Sequence, residues 1–428
     1  MARALIVAAP QSGSGKTLIT LGLIRALRNS GLKVASAKIG PDYIDPQFHT
    51  AASGRPCLNL DYWAMGPALC RQLLDELAHD ADIVIIEGVM GLFDGPDGAK
   101  GSTADLALAL GLPIMLVIDA GHQAQSIAAL AQGFANYMPD LKLQGVFLNR
   151  IRSDRHGRIL QSSLLQVGIQ ILGQLRHNDS LHMPSRHLGL VQAMENQALE
   201  TFLESAAAGV ARETKLDNVV NSSTEIANQA NSTLPLVPPL GQTIAIAKDE
   251  AFAFAYPHLL SGWQKAGAEI LFFSPLLDES PSTKADALFL PGGYPELYAG
   301  KLAANTRTLS GIRKFQGLIY GECGGYMLLG ENLVDANGIS HAMTGLLPLE
   351  TSFAKPQLHL GYRELRTLCG PLPKRLRGHE FHYASISREG EAERLFHATT
   401  AAGIALPAMG MRRGPVMGSF AHIIGIAP

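Results

Sequence analysis

The chain has 428 residues, with 35 Lys+Arg against 37 Asp+Glu and a formal net charge of −2, so neither sign dominates and a polyanion-binding surface is not indicated. Charged residues are only 17% and hydrophobic residues 47%, with a mean hydropathy of +0.12. Yet the longest apolar run, 106–118, is interrupted by Gly111 and Pro113 and is shorter than the roughly 20 residues of a spanning helix.

Cys57, Cys70, Cys323 and Cys369 form no CxxC pair or metal-finger spacing. A lone Arg3 precedes the short Leu5-Ile6-Val7 run, which leads straight into a glycine-rich loop and does not read as a signal peptide. We therefore expect a reduced, cytoplasmic compartment, with neither nucleic acid nor membrane as partner.

In the first part of the chain, runs rich in Val, Ile and Leu alternate with helical patterns. The runs are continuously apolar, which predicts parallel strands buried on both faces at 4–9, 34–39, 83–87, 114–119, 145–149 and 169–173. A helix over 17–28 is stopped by Gly31. The pattern is an α/β doubly wound sheet. After Leu203 the composition shifts: Ala206-Ala207-Ala208-Gly209 leads into an Asn- and Ser-rich stretch and then Pro235, Pro238, Pro239 and Gly241, which reads as a linker over 205–242. A second α/β series follows, with strands at 244–247, 270–273, 287–290 and 318–320 and a helix through Trp263. Segments 378–387 and 409–422 read as antiparallel additions. The expected domains are 1–204 and 243–428.

Between the first strand and first helix lies Ala9-Pro10-Gln11-Ser12-Gly13-Ser14-Gly15-Lys16-Thr17, a P-loop in context although Pro10 replaces its first glycine. Glycines let backbone N–H groups wrap phosphates, Lys16 reaches the terminal phosphates, and Thr17 holds Mg²⁺. A glycine-rich turn that binds nothing is the alternative. Acidic segments end the next strands: Gly40-Pro41-Asp42-Tyr43-Ile44-Asp45-Pro46 and Glu87-Gly88-Val89-Met90-Gly91-Leu92-Phe93-Asp94-Gly95. Carboxylates beside a triphosphate need a cation, so Asp42, Asp45, Glu87 and Asp94 point to Mg²⁺ ligation or substrate positioning, against helix-cap or turn roles for Asp45 and Asp94. Asn149-Arg150 ends another strand and is placed to meet a nucleotide base.

In the second series, the strand ending in Leu318-Ile319-Tyr320 enters Gly321-Glu322-Cys323-Gly324-Gly325-Tyr326-Met327, a glycine-flanked elbow with cysteine as nucleophile. Gly292-Gly293 ends a neighbouring strand and turns backbone N–H groups toward the same point. His422, His379 and His382 are candidate bases among which spacing does not choose. His379-Glu380-Phe381-His382 is not the His-Glu-x-x-His of a zinc helix, and residues three apart on a strand face opposite ways, so no metal is expected there.

A P-loop domain followed by a cysteine elbow resembles the glutamine-dependent amidotransferases. The segments quoted above, with Asp249-Glu250-Ala251-Phe252, Phe273-Ser274-Pro275-Leu276, Gly292-Gly293-Tyr294-Pro295-Glu296 and Gly378-His379-Glu380-Phe381-His382-Tyr383, resemble the signatures of the cobyrinic acid a,c-diamide synthase family, in order along nearly the whole chain. That family includes the hydrogenobyrinic acid enzyme of cobalamin biosynthesis.

The resemblance implies a dethiobiotin-synthetase-like ATP domain and a class I glutaminase domain of flavodoxin-like fold. It implies Cys323 as nucleophile, His422 as its activator, and Gly293 and Gly324 as the oxyanion hole. ATP would meet Ser12, Gly13, Ser14, Gly15, Lys16, Thr17 and Asn149. Mg²⁺ would meet Thr17, Asp42 and Glu87, and the tetrapyrrole Tyr43, Asp45 and Asp94. Most class I glutaminases carry a Glu two residues after the histidine, where this chain has Ile424.

The implied reaction cleaves L-glutamine through a thioester, passes ammonia internally, and amidates the a and c carboxylates through acyl phosphates. A polycarboxylate substrate calls for cations at the ATP end, Lys16 and Lys38 first. Rival readings are a cobyric acid synthase, a nickel-sirohydrochlorin a,c-diamide synthase, a P-loop switch ATPase, and a regulatory module with an inactive glutaminase. A homodimer is one assembly the sequence admits.

Overall fold

A computed structural model describes residues 1–181, 185–186, 189–190, 192–195, 198–226 and 236–427. It divides into two compact units, Met1–Gly95 with Lys100–Leu234, and Pro235–Pro428 with Pro96–Ala99. No helix among the described residues is long and apolar enough to cross a membrane.

Besides Thr224–Glu225, which pairs antiparallel with its first strand, the sheet of the first unit has seven strands: β1 (Arg3–Ala8), β2 (Val34–Ile39), β3 (Cys57–Leu60), β4 (Ile83–Glu87), β5 (Ile114–Asp119), β6 (Leu143–Ile151) and β7 (Ile171–Arg176). They lie parallel in the order β3-β2-β4-β1-β5-β6-β7. Leu5, Ile6 and Val7 of β1 are fully buried, as continuous apolar runs require of a sheet covered on both faces. Each such side chain contributes about 1.5–3 kcal/mol relative to exposure. The strands read from sequence at 34–39, 83–87 and 114–119 are observed with those bounds. The four-residue β3, absent from the sequence expectation, forms the edge next to β2.

Helix α1 (Lys16–Asn29) follows β1 directly, and α2 (Asp45–Ser53) follows β2. A further helix, Leu199–Glu213, packs on α1 so closely that a side chain at Gly22 would meet the Ala206 carbonyl at 3.1 Å. Arg25 fixes this contact, donating to the carbonyls of Ala51 and Ala52 and to Glu200 and Glu204. The segment read as linker from residue 205 therefore opens inside a helix, and Leu216–Asn221 forms another. Its small residues Ala206, Ala207 and Gly209 serve close helix packing rather than flexibility. Within that reading of 205–242, residues 227–235 lie outside the described residues.

The second unit carries fourteen strands among its described residues, four in a small sheet and ten in the main one. The order in the main sheet is Glu269–Phe273, Thr243–Ala247, Ala287–Leu290, Leu318–Glu322, Val416–Ser419, Met409–Arg413, Glu393–Thr399, His359–Thr367, Arg375–His382 and His422–Ile426. The first five are parallel and the remainder antiparallel. Val416–Ser419 corrects the expectation of a purely antiparallel addition over 409–422: it pairs parallel with Leu318–Glu322 and antiparallel with Met409–Arg413. That pairing sets Glu322 opposite Ser419 and so brings the elbow beside the chain that carries His422.

After the elbow, the short helix Gly324–Leu329 lies directly on the strand Ala287–Leu290. A Cβ at Gly325 would sit 1.9 Å from the Leu290 carbonyl oxygen. That is backbone against backbone, so relief requires moving an element. Gly325→Ala should lower the stability of this unit by about 3 kcal/mol, read as a fall in the urea midpoint of Trp263 fluorescence in a Trp63→Phe background. Trp263 suits the purpose because it is buried against Phe289. An unchanged midpoint would refute the close packing.

Candidate functional site

Polar residues gather in each unit at the carboxyl ends of parallel strands. In the first unit, β1 ends in the P-loop, where Gly13 and Gly15 take positive φ of 82° and 89°. Gly15 admits no other residue for a second reason: its Cβ would lie 2.0 Å from Asn149 Nδ2. That amide donates to the Ser14 carbonyl at 2.9 Å, so Asn149 at the end of β6 braces the loop. Ser14 Oγ in turn donates to the Gln11 carbonyl. Gly13, Gly15, Lys16, Thr17 and Asn149 all line a cavity of about 580 Å³, a volume suited to a nucleotide. The cavity also takes in Arg176–Asp179 at the end of β7, which sequence reasoning did not assign. The available signal was that this segment lies at another strand's carboxyl end.

Thr17 at the start of α1 donates to Glu87 Oε1 at 2.7 Å and approaches Asp45 Oδ2 at 3.4 Å. Lys38, from β2, sits between the carboxylates: Nζ lies 2.6 Å from Asp45 Oδ2, 2.8 Å from Glu87 Oε1 and 3.9 Å from Asp42 Oδ2. His49 of α2 meets the other oxygen of Glu87 at 2.7 Å. Asp42, Asp45, Glu87 and Thr17, assigned from separate segments of sequence, thus form one cluster.

The electrostatics divide these carboxylates. Burial pushes Glu87 upward, but Lys38, His49 and Lys16 outweigh it and hold its pKa well below the usual carboxylate value. Asp45 shares Lys38 but not His49; burial and the like charge of Asp42 push it up to about 6. Burial opposes the charged form of Lys38, yet Asp45, Glu87 and Asp42 together raise its pKa above the usual lysine value. Burial depresses Lys16, against the pull of Glu87, and its ammonium donates to the Met90 carbonyl at 3.2 Å.

Lys38 therefore differs from its sequence expectation. At 3% exposure it neutralises its own neighbours rather than presenting a cation outward. His49 was missed because its partner Glu87 is 38 residues away. Asp42 also caps the turn into α2, accepting from Ile44 and Asp45 N–H groups, and Asp94 accepts from the Gly91 N–H. Tyr43 is buried and Asp94 is exposed.

In the second unit, Cys323 adopts φ 47° and ψ −104°, a conformation costly for a side-chain-bearing residue and held by Cys323 N–H donating to the Ser419 carbonyl at 2.8 Å. Its thiol is buried, with its pKa raised chiefly by burial and then by Glu296, while the Gly324 N–H pulls the other way. Gly293 and Gly324 are adjacent: a Cβ on Gly324 would lie 3.1 Å from Gly293 N. A Cβ on Gly292 would lie 3.0 Å from His422 Nε2 and 3.3 Å from Cys323 Cβ, so this glycine leaves the thiol and imidazole together. His422 is completely buried, and burial, then His379 and His382, depress its pKa to about 3, which keeps the ring a neutral base.

The structure distinguishes the three candidate histidines by surroundings. His382 stacks on Phe420 and bonds Glu380 and the Ala384 carbonyl, whereas His379 packs edge-on against Tyr362. His359, Glu380 and His382 gather within ligand distance across paired strands, but Arg363 holds the second oxygen of Glu380 at 2.7 Å. At Ile424, the backbone carbonyl accepts from buried His258 at 2.8 Å.

Comparison with known proteins gives the following. Residues 5–191 match the CobQ/CobB/MinD/ParA nucleotide binding domain, and residues 243–427 match the CobB/CobQ-like glutamine amidotransferase domain. A hydrogenobyrinate a,c-diamide synthase of Brucella anthropi is 51% identical, covering 99% of this chain and 98% of that protein. Proteins of the same name from Sinorhizobium sp (50%, 99% of each chain) and Mesorhizobium japonicum (48%, 100% of this chain and 99% of that protein) are similar along their whole lengths.

The Lys38 cluster generates a stability prediction. Lys38→Met leaves carboxylates buried without their cation, at a cost of about 3–5 kcal/mol near pH 7. In the parent protein the folded pKa of Glu87 lies below its ordinary 4.5, so its contribution is present above that pH and is lost as pH falls toward the folded pKa. Without Lys38, burial raises the folded carboxylate pKa values, and stability is instead lost as pH rises through them. The deficit of the variant should therefore shrink between pH 7 and pH 5, measured by urea unfolding followed at Trp63 in a Trp263→Phe background. A deficit that does not change with pH would exclude Lys38 as the compensating charge.

Proposed function

Because this chain belongs to the hydrogenobyrinate a,c-diamide synthase family, we propose that it converts the a and c carboxylates of hydrogenobyrinate to amides, using ATP and the amide nitrogen of glutamine. Residues 1–204 are assigned the synthetase half and 243–428 the glutaminase half. The observation that carries this reading is the presence in one chain of a braced phosphate loop and a strained cysteine elbow with a neutral buried imidazole.

At the first half, a carboxylate is a poor acyl donor until its oxygen is phosphorylated. A substrate carboxylate attacks the γ-phosphorus of ATP and ADP leaves; ammonia then attacks the acyl carbon and inorganic phosphate leaves. Ser12, Gly13, Ser14 and Gly15 supply backbone N–H groups to the phosphates, and Lys16 exchanges the Met90 carbonyl for a phosphate oxygen. Asn149 keeps the loop in shape. Tyr43, Asp45 and Asp94 are assigned to the tetrapyrrole side.

The hydroxyl of Thr17 and the carboxylates of Asp42 and Glu87 form an all-oxygen donor set, the chemistry that Mg²⁺ favours, and would hold it. Bound Mg²⁺ supplies neutralisation of phosphate charge. Lys38 and His49 limit the repulsion among these acids when no nucleotide is present.

At the second half, His422 takes the Cys323 proton and the thiolate attacks the glutamine carboxamide. The resulting oxyanion is met by N–H groups of Gly293 and Gly324. Protonation of the nitrogen by His422 releases ammonia, and water hydrolyses the thioester to glutamate.

Cys323→Ala should abolish glutamine-dependent synthesis by at least about 10²-fold and retain synthesis from ammonium salts, assayed by mass spectrometry of the amidated tetrapyrrole. Loss of both activities in a folded variant would overturn the two-site scheme. Parallel incubations with hydrogenobyrinate, cobyrinate and nickel-sirohydrochlorin identify the macrocycle. ATP hydrolysis equally fast with no tetrapyrrole would favour a switch ATPase.

A further inference from the structure

We propose that Glu322, the residue before the nucleophile, is the acidic partner of His422 and acts as a positioning residue for glutamine cleavage. This proposal rests on the assignment of Cys323 and His422 made above. The position that supplies an acid in most class I glutaminases is occupied here by Ile424, whose carbonyl is committed to His258. The centre therefore needs its acid from elsewhere, or does without one.

Glu322 is 2% exposed and ends the elbow strand. One carboxylate oxygen accepts the Ile423 N–H at 2.9 Å, which anchors the side chain to the peptide that carries the imidazole. The other lies 3.8 Å from His422 Nδ1. Opposite on the ring, Nε2 faces the space beside Gly292 that Cys323 shares. Thiol, imidazole and carboxylate thus run in sequence, with two of the three supplied by adjacent residues. A separation of 3.8 Å is too long for a hydrogen bond but is an ion-pair distance, so its value depends on whether the ring is charged.

The ring becomes charged during the reaction. When Cys323 Sγ transfers its proton to Nε2, a thiolate and an imidazolium replace two neutral groups, and the carboxylate on the far side stabilises the cation. No net proton passes through Glu322. Burial pushes the Glu322 carboxyl up to about 8, with the Ile423 N–H and Tyr320 opposing it, and an imidazolium on His422 favours its ionised form.

Other charged or titratable groups surround the pair. His379, His382 and Glu380 act on His422, and Glu296, Glu380 and, more weakly, Glu322 itself raise Cys323, so Glu322 favours the ion pair through the imidazolium it faces rather than through the thiolate. Glu380 is the competing acid, but its two oxygens are already held by Arg363 at 2.7 Å and His382 at 2.9 Å. Among the described residues, the ion-pair contact of Glu322 is with His422.

The test compares the full chain with Glu322→Gln and Glu322→Asp. Glutamine keeps the acceptor for the Ile423 N–H and removes the charge. We expect kcat for glutamine hydrolysis to fall on the order of 10²-fold with little change in KM, and Asp to restore part of it. The pH dependence of Cys323 alkylation by iodoacetamide gives a second readout that needs no macrocycle. Peptide mass spectrometry must isolate Cys323, because Cys57, Cys70 and Cys369 are also free thiols. Loss of the carboxylate disfavours the thiolate–imidazolium pair, so the alkylation midpoint should move to higher pH in the Gln variant. An unmoved midpoint overturns the proposal, whether or not kcat falls through general disruption. A wild-type chain that alkylates normally but neither hydrolyses glutamine nor amidates a tetrapyrrole would defeat the functional assignment, while the shift between wild type and Gln variant would still decide the role of Glu322.

Discussion

A parallel strand covered on both faces leaves few places for polar groups, and its carboxyl end is the main one, because there the backbone must turn and its N–H groups lose their ladder partners. Both units depend on this constraint. β1, β2, β4 and β6 deliver Lys16, Lys38, Glu87 and Asn149 to one edge, and Leu318–Glu322 delivers Cys323 beside a chain that enters from Val416–Ser419. The phosphate loop and the thiol elbow are two outcomes of the same geometry. In the first, glycines at positive φ wrap an anion site; in the second, a cysteine accepts the strain itself.

The two sites solve the problem of buried charge in opposite ways. Around Lys38, three carboxylates, an ammonium and an imidazole are packed so that charge is retained by mutual compensation. Around Cys323, burial raises the thiol and depresses His422, so thiol and imidazole are neutral at rest. A nucleotide site benefits from charge held in place before the ligand arrives. A thiol centre that is neutral at rest develops charge only as its proton moves, which also limits unproductive attack.

Much of this was legible in sequence where the signal is contiguous. The strands at 83–87, 114–119 and 287–290 are apolar runs with at most a terminal carboxylate, and the loop before Lys16 and the elbow around Cys323 are local motifs. What escaped depends on distance in sequence. Cys57–Leu60 is too short, with a polar Asn59, to stand out as a strand. Leu199–Glu213 looked like the approach to a linker because Ala206, Ala207 and Gly209 are small, yet Ala206 packs closely on Gly22 and Gly209 leaves room for Leu175 and Leu181. His49 becomes informative only when Glu87 folds against it, and the place of Glu322 beside His422 follows from a strand pairing, not from a motif.

The loop at the end of β1 departs from the usual pattern at its first glycine, where Pro10 stands, and not at its last. Gly15 combines a left-handed backbone with the absence of any room beside Asn149. These are separate demands, so relieving one does not relieve the other: a smaller residue at 149 would open space and still leave a strained backbone. Substitution is therefore unequally distributed along the loop. Its entry can drift while its junction with α1 is locked by conformation and volume together, and Asn149, far away in sequence, shares that lock.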